Sequence, residues 1–265
     1  MRFWAAAFCL LFSFVAYANE MVVHIIGDGQ SRSIAKTFFP DAAVLPSPGA
    51  NGAFVWKKLE NNTADVAVQV PLVVHYFALT GDKEDPTQQY EMLATVARIT
   101  QVLMARPELP VNNIADIKKL QRTVTVGWGG SACEAIVKKA FSPHGIDFVY
   151  LPYKTFNDAM AAFMGGHIDF ICPAGVTLRQ AMQNNMGKVV FDFKDYYGTQ
   201  HIMLFVNRGM SDTVKQKITQ QITRKLTAED ITAAENAGFV WSVHTGKAAK
   251  DIFDRERQAW QKVLN

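Results

Sequence analysis

The chain has 265 residues, of which 49% are hydrophobic and 19% are charged, and its formal net charge is +3. This composition is ordinary for a globular protein and includes no low-complexity segment. The small net charge argues against nucleic acid as the main partner, because nucleic-acid binding needs a strongly basic surface. The length suffices for one large domain or for two of roughly 120 residues each.

The first 18 residues have the pattern of a signal peptide. Arg2 gives a short positive start, residues 3–15 form an apolar run, and residues 16–18 (AYA) match a small-x-small cleavage site. The run is shorter than the roughly 20 apolar residues of a membrane helix, and no later stretch approaches that length. We therefore expect residues 1–18 to be removed and the mature protein to be exported to the periplasm.

The first part of the chain alternates short β-rich runs with helical patterns, which is typical of α/β proteins with largely parallel sheets. The predicted elements are a strand at 21–26, a helix at 31–38, a helix carrying Phe54, Val55 and Leu59, a strand at 65–70, and strands within 90–105.

The middle of the chain repeats this plan. The predicted elements are a strand at 123–127, a helix at 131–141, a strand at 147–151, a helix capped by Asn157 and ended by Gly166, a strand at 167–171, and a returning strand at 203–206.

The last sixty residues are predicted to be helical. Ser211 is the expected cap of one helix, with apolar residues at four-residue spacing. Thr227 and Asp230 form a capping box for the next helix, which Gly238 ends. The apolar face of the closing helix comprises Ala249, Ile252, Phe253, Trp260 and Val263.

Three glycine turns each precede a predicted helix, at residues 27–31 (GDGQS), 48–52 (PGANG) and 127–131 (GWGGS). Glycine lets the backbone approach a ligand closely, and the first N–H groups of a helix lack intrahelical partners. Such a helix start attracts carboxylate or phosphate. Tight turns are needed in any α/β protein, but three of them in two expected domains favour an anion-binding cleft. Suitable side-chain donors in these loops are Gln30, Ser31, Asn51 and Ser131.

Two cysteines, Cys133 and Cys172, remain after the signal segment. They are predicted near the start of a helix and at the end of a strand, at the same edge of one sheet. An oxidising compartment favours a disulfide between them, and the alternative is two small buried thiols. The sequence has no CxxC, HExxH or clustered Cys/His ligand set, so we expect neither a metal nor a cofactor.

Several motifs resemble, in constant order from about residue 22 to the C-terminus, the Bug-type extracytoplasmic solute receptors of tripartite tricarboxylate transporters. Residues 48–52 are similar to the PGAGG of that family, 151–154 (LPYK) to VPYKG, and 165–169 (GGHID) to GGQVD. The segment from Phe253 through Glu256 to Trp260 and Val263 resembles FxxFxxExxxWxxV. Ala64-Asp65 stands where the family has PDG, and Arg32 stands where relatives tend to be acidic, so the sequence leaves the ligand open among several organic acids.

The resemblance implies an α/β periplasmic binding protein of the two-lobed, type II (Venus-flytrap) kind, with lobe one at 19–104 and 205–265 and lobe two at 105–204. It implies a monomer that captures a small organic anion between the lobes and delivers it to membrane subunits of a transporter, without catalysis. The residues expected to line the ligand are Asp28, Gly29, Gln30, Ser31, Arg32, Gly49, Ala50, Asn51, Trp128, Gly129, Gly130, Ser131 and Tyr153.

Two other functions remain open at this point. The same fold also serves as the ligand-binding partner of signalling receptors. A secreted serine hydrolase has less support, because residues 27–29 (GDG) lack the serine of an esterase block, and Cys133 replaces the last glycine of a G-x-S-x-G elbow around Ser131.

Overall fold

The computed structural model describes residues 21–26, 30–47, 53–62, 64–70, 74–75, 79, 85–128 and 131–264. The predicted signal segment, residues 1–18, lies outside these ranges. The strands in the described ranges are β1 (Val22–Ile25), β2 (Ala43–Pro46), β3 (Val66–Gln69), β4 (Tyr90–Ile99), β5 (Val102–Ala105), β6 (Val124–Trp128), β7 (Phe148–Pro152), β8 (Phe170–Ile171), β9 (Lys188–Asp192), β10 (Gln200–Asn207) and β11 (Val240–Thr245).

The described α-helices lie between and after these strands. They are α1 (Gln30–Phe38), α2 (Ala53–Glu60), α3 (Pro86–Gln89), α4 (Ile114–Lys119), α5 (Ser131–Phe141), α6 (Phe156–Met164), α7 (Gly175–Gln183), α8 (Lys194–Tyr197), α9 (Asp212–Ile222), α10 (Ala228–Asn236) and α11 (Gly246–Leu264).

The first sheet contains six strands in the order β11-β4-β10-β3-β1-β2. β1, β2 and β3 are parallel, whereas β10 is antiparallel to both β3 and β4. Successive residues of β10 point to opposite faces, as the pleat requires. Leu204 joins the core that α1 and α9 cover, and its neighbours Met203 and Phe205 join the core beneath α2 and α11.

The second sheet contains five strands in the order β7-β6-β8-β5-β9. β6 is parallel to β7 and β8, and β5 is antiparallel to β8 and β9. Phe170 packs into the core beneath α5, and the next residue, Ile171, packs into the core beneath α6 and α7. Both sheets are therefore covered by helices on two faces, which is the α/β class predicted from sequence.

The chain passes between the sheets at two described connections that lie side by side. Thr100 and Gln101 link β4 to β5, and Gly198 and Thr199 link α8 to β10. The first connection is held by hydrogen bonds, because Gly175 N donates to Thr100 O at 3.2 Å and Phe193 N donates to Gln101 O at 3.2 Å. Two adjacent connections of this kind form a hinge between the two halves.

The last helix packs against both halves of the molecule. Phe253 lies in the first-sheet core with Met203 and Phe205. Trp260 and Val263, further along α11, lie in the second-sheet core with α5. Predicted lobe one includes the whole of residues 205–265, whereas the end of this helix packs on the core of the second sheet.

The sequence predicts the ends of α10 correctly and the start of α6 wrongly. The capping box of Thr227 and Asp230 is confirmed, and Gly238 follows α10 with a positive φ of 73°. The predicted cap Asn157 is wrong, because Thr155 is the N-cap of α6. The Thr155 hydroxyl accepts from Asp158 N at 3.2 Å, and the Asp158 carboxylate accepts from Thr155 N at 3.1 Å.

A buried carboxylate ties the amino ends of the second-sheet strands together. Asp169, just before β8, accepts two hydrogen bonds from the Arg122 guanidinium at 2.8 and 2.9 Å and one from Arg106 at 3.0 Å. Thr125 N at the start of β6 donates to the same carboxylate at 3.0 Å. Burial alone would raise the pKa of Asp169, but these hydrogen bonds outweigh it and lower the pKa to about 2.

We predict that Asp169→Asn lowers the free energy of unfolding at pH 7 by about 2 kcal/mol, since a carboxylate with a depressed pKa stabilises the fold above its unfolded pKa. The loss should shrink as the pH falls from about 4 towards 2, where the wild-type carboxylate becomes protonated. Urea denaturation at several pH values measures it, with the exposed Asp147→Asn as control. If the free energies of unfolding of wild type and Asp169→Asn differ as much at pH 2 as at pH 7, the charge of the carboxylate does not stabilise the fold.

Candidate functional site

In the first sheet, the parallel strands end at one edge. Ile25 of β1 is paired with Pro46 of β2 and with Val68 of β3, so the segments that follow these strands begin side by side. Ligands of open α/β sheets bind at this carboxyl edge. Of the residues predicted here, Asp28, Gly29, Gly49, Ala50 and Asn51 lie outside the described residues.

The second sheet has the same construction. Trp128 at the end of β6 is paired with Pro152 of β7, and Gly127 is paired with Ile171 of β8. Tyr153 and the start of α5 at Ser131 therefore belong to one edge. Gly129 and Gly130 lie outside the described residues, and the side chains of Trp128 and Ser131 are not described either.

Glycine is needed at position 127 because neighbouring side chains leave no room for a Cβ atom, and not because the backbone has a positive φ. A Cβ atom at this position would lie 2.4 Å from Ile168 Cδ1 and 3.1 Å from Tyr153 Cε2. The absence of a side chain at Gly127 thus allows the half-buried Tyr153 ring to lie over the end of β6. Tyr153 therefore lies at the carboxyl edge of the second sheet.

The two carboxyl edges meet through Gln30. The Gln30 Oε1 atom, at the start of α1, accepts a hydrogen bond from Val176 N, near the start of α7, at 3.1 Å. Because α1 follows β1 and α7 follows β8, this bond joins the carboxyl edge of one sheet to that of the other. Gly175 has a φ of 52°, and a Cβ there would lie 2.1 Å from Gln30 Oε1, so only glycine fits beneath this amide.

The neighbouring predicted residues have different surroundings. Ser31 is 2% exposed in the first turn of α1. Arg32 donates from Nη1 to the Val44 carbonyl of β2 at 3.3 Å. Gln30, Ser31 and Tyr153 are thus brought to the facing edges, whereas the described hydrogen bond of Arg32 is directed to the backbone of the edge strand.

Two buried glutamines at the same edge escaped the sequence analysis. Gln69 is the last residue of the fully buried β3, and Gln200 is the first residue of β10. Gln200 is 4% exposed, and its Nε2 has no hydrogen-bond partner within the described ranges. The signal that could have revealed Gln69 is a single polar residue in the apolar run VAVQV.

Cys133 and Cys172 lie together at the carboxyl edge of the second sheet, as expected, but both are free, buried thiols. The disulfide that the sequence favoured is therefore not formed in the structure. Burial, followed by the hydrogen bond with Cys172, raises the pKa of the Cys133 thiol well above its ordinary value. Oxidation proceeds through the thiolate, so a buried, neutral thiol is chemically protected.

We predict that iodoacetamide leaves both cysteines of the folded protein unmodified, because both thiols are buried and the pKa of the Cys133 thiol is raised. Unfolding in urea without reductant should then allow two alkylations, which intact-protein mass spectrometry counts. An unfolded protein that stays unmodified and is lighter by two hydrogens would contradict this prediction and show a bridge.

The described ranges hold neither a group of three or more His, Cys, Asp or Glu placed to bind a metal ion nor a helix long and apolar enough to cross a membrane.

Comparison with known proteins gives a clear answer for the fold. No protein-family model and no curated protein sequence matches the chain. Among solved structures, MatC from Rhodopseudomonas palustris with bound malate is similar with a TM-score of 0.77 at 14% identity, covering 94% of this chain and 100% of that one. Another R. palustris protein, solved with adipate, has a TM-score of 0.78 at 14% identity, covering 93% and 97%.

The periplasmic binding protein BugD is similar with a TM-score of 0.74 at 14% identity, covering 92% of this chain and 96% of that chain. The predicted fold class, a two-lobed periplasmic binding protein, is confirmed by these similarities. The resemblance drawn from the sequence motifs agrees with them, and the similar proteins with stated roles are binding and transport proteins.

Proposed function

We propose that this protein is an extracytoplasmic receptor that captures a small organic carboxylate and delivers it to the membrane subunits of a tripartite transporter. The observation that carries the proposal is the hydrogen bond between Gln30 and Val176, because it sets the carboxyl edges of the two sheets face to face. A ligand between these edges meets the starts of α1 and α5, where backbone N–H groups favour an anion. No catalytic group is needed for this role.

The proposed ligand contacts are mainly neutral donors, with loop N–H groups and hydroxyls in place of a cluster of cations. Buried Ser31 supports this, since a hydroxyl in the first turn of a helix adds a donor beside the free N–H groups. The full proposed set is Asp28, Gly29, Gln30, Ser31, Arg32, Gly49, Ala50, Asn51, Trp128, Gly129, Gly130, Ser131 and Tyr153.

The proposal includes the organisation predicted from sequence. Residues 1–18 act as a cleaved signal peptide, the mature chain is a periplasmic monomer, and its lobes are 19–104 with 205–265 and 105–204. This division is supported in outline by the first sheet, which draws on strands from Val22–Ile99 and Gln200–Thr245. Lobe closure over the ligand would signal occupancy to the transporter.

Malate and adipate are the first probes, because two structures with this fold were solved with those dicarboxylates. A thermal-shift and calorimetric screen of refolded, ligand-free protein tests the proposal, with an uncharged sugar as the control. A ligand at 100 times its dissociation constant should add about 2.7 kcal/mol of stability. If no carboxylate in a broad panel stabilises the protein more than the sugar does, the proposed function is wrong.

We predict that Ser31→Ala and Ser131→Ala each weaken binding of the stabilising carboxylate by about 1.5–3 kcal/mol, because each removes a hydrogen bond to a charged group. Calorimetry measures the affinities, and Ser142→Ala, an exposed serine after α5, is the matched control. Unchanged affinity in both variants would contradict the assignment of the ligand to these loops.

Arg32 is proposed to pair with a second carboxylate group. We predict that Arg32→Ala reduces the preference for dicarboxylates over monocarboxylates by about tenfold, equivalent to about 1.4 kcal/mol, while monocarboxylate affinity changes little. Competition calorimetry with matched pairs of acids measures the ratio. An unaltered ratio would contradict a role of Arg32 in binding a second carboxylate group.

A further inference from the structure

A second cavity lies beside the hinge, between the first sheet and α11. Its volume is about 570 Å³, and its polar lining includes Arg98 on β4, His201 on β10, Ser242 and His244 on β11, and Arg255 and Glu256 on α11. None of these residues belongs to the segments that follow β1, β2, β6 or β7. The cavity therefore shares no lining residue with the proposed carboxylate cleft.

A chain of hydrogen bonds runs from the interior to the wall of this cavity. Glu256 Oε1 lies 2.6 Å from His201 Nδ1, and His201 Nε2 lies 3.2 Å from Ser242 Oγ. Ser242 Oγ also lies 3.2 Å from His244 Nε2. With the Nδ1–H of His201 donating to the carboxylate, its Nε2 accepts from the Ser242 hydroxyl, and the Nε2–H of His244 donates to Ser242.

The strand that carries two of these groups is irregular at this point. β11 loses its register with β4 between Trp241 and His244, so Ser242 lies in a β-bulge. Bulges bend a strand and re-aim its side chains, and they concentrate near functional sites. The bulge accompanies the close approach of Ser242 to both imidazoles.

The buried carboxylate is already engaged on its inner side. Glu256 is 5% exposed, and its Oε2 lies 3.4 Å from Nε2 of the fully buried His75. Behind His75 are Arg257 and Asp85, which form an ion pair with each other. Burial raises the pKa of Glu256, against the opposing effect of the nearby His75.

The open side of the cavity is positive. Within the described ranges, Arg98 and Arg255 form no salt bridge with a carboxylate, although the charge of Arg255 acts on the carboxyl groups of Asp251 and Glu256. Both arginines are exposed, but their charges act on the interior. Burial, followed by the charges of Arg98 and Arg255, lowers the pKa of His201 to about 4. Two guanidinium groups on opposing elements repel each other unless an anion lies between them.

We infer that this cavity is a second binding site, specific for a small oxyanion of the phosphate or sulfate type. The guanidinium groups of Arg98 and Arg255 approach from two elements, β4 and α11, and line the same cavity, so each presents several N–H donors to it. That arrangement suits a tetrahedral anion, whose oxygens point in several directions, and guanidinium is the side chain best matched to it. The site does not depend on the carboxylate-receptor proposal.

Calorimetric titration of the mature protein with inorganic phosphate, against sodium chloride at equal ionic strength, tests the inference. Wild-type protein should bind phosphate at one site, and Arg98→Gln and Arg255→Gln should each weaken binding by about 10- to 100-fold. Lys247→Gln removes one positive charge from the exposed face of the same helix and should leave phosphate affinity unchanged. Arg255→Lys should recover part of the loss.

Cross-tests separate this site from the cleft. Ser31→Ala should bind phosphate like the wild type, and Arg255→Gln should bind the stabilising carboxylate like the wild type. The inference is overturned if phosphate gives no more heat than chloride, if Lys247→Gln weakens binding as much as the cavity variants do, or if Ser31→Ala weakens it.

Discussion

Strand β10 is the constraint on which the rest of the structure depends. It returns from the second sheet and lies between β3 and β4, antiparallel to both. The chain therefore leaves the first sheet along β4 and comes back along its immediate neighbour, which forces the two connections at Thr100 and Gly198 to lie together. The hinge lies at these two connections, and the cavity beside α11 is lined in part by Gly198 and Thr199 of the second one.

Much of the fold could be predicted from local pattern. The runs TVTVG and DFVYL predict strands, because β-branched and aromatic residues in a short apolar run favour buried strands. In the structure they correspond to β6 and β7, each of which begins and ends one residue later than predicted. The apolar face of α11 was predicted residue by residue, since a helical period of 3.6 residues is visible over its nineteen positions. By contrast, β11 is a partly exposed edge strand with a bulge, and its sequence, VWSVHT, was not recognised.

The candidate site divides along the same line. Glycines and hydroxyl residues before a helix predict an anion site. Three of the residues predicted on this basis or from the resemblance, Gln30, Ser31 and Tyr153, lie at the facing edges of the two sheets. What the sequence could not supply are contacts between distant residues. Gln30 and Val176 are 146 positions apart, and His201 and Glu256 are 55 apart, so no local spacing links them. Likewise, nothing in the sequence distinguishes two thiols in contact from a disulfide.

The last helix has a mechanical consequence for the cleft. Its nineteen residues span about 28 Å, with Phe253 seated in one core and Trp260 in the other. Close-packed cores do not readily release a buried aromatic ring, so any rotation of one half relative to the other must keep Phe253 and Trp260 in their cores. The axis of that rotation must pass close to the helix. The helix is thus a rigid link between the two cores, and any change in the angle between the halves would also move its exposed face.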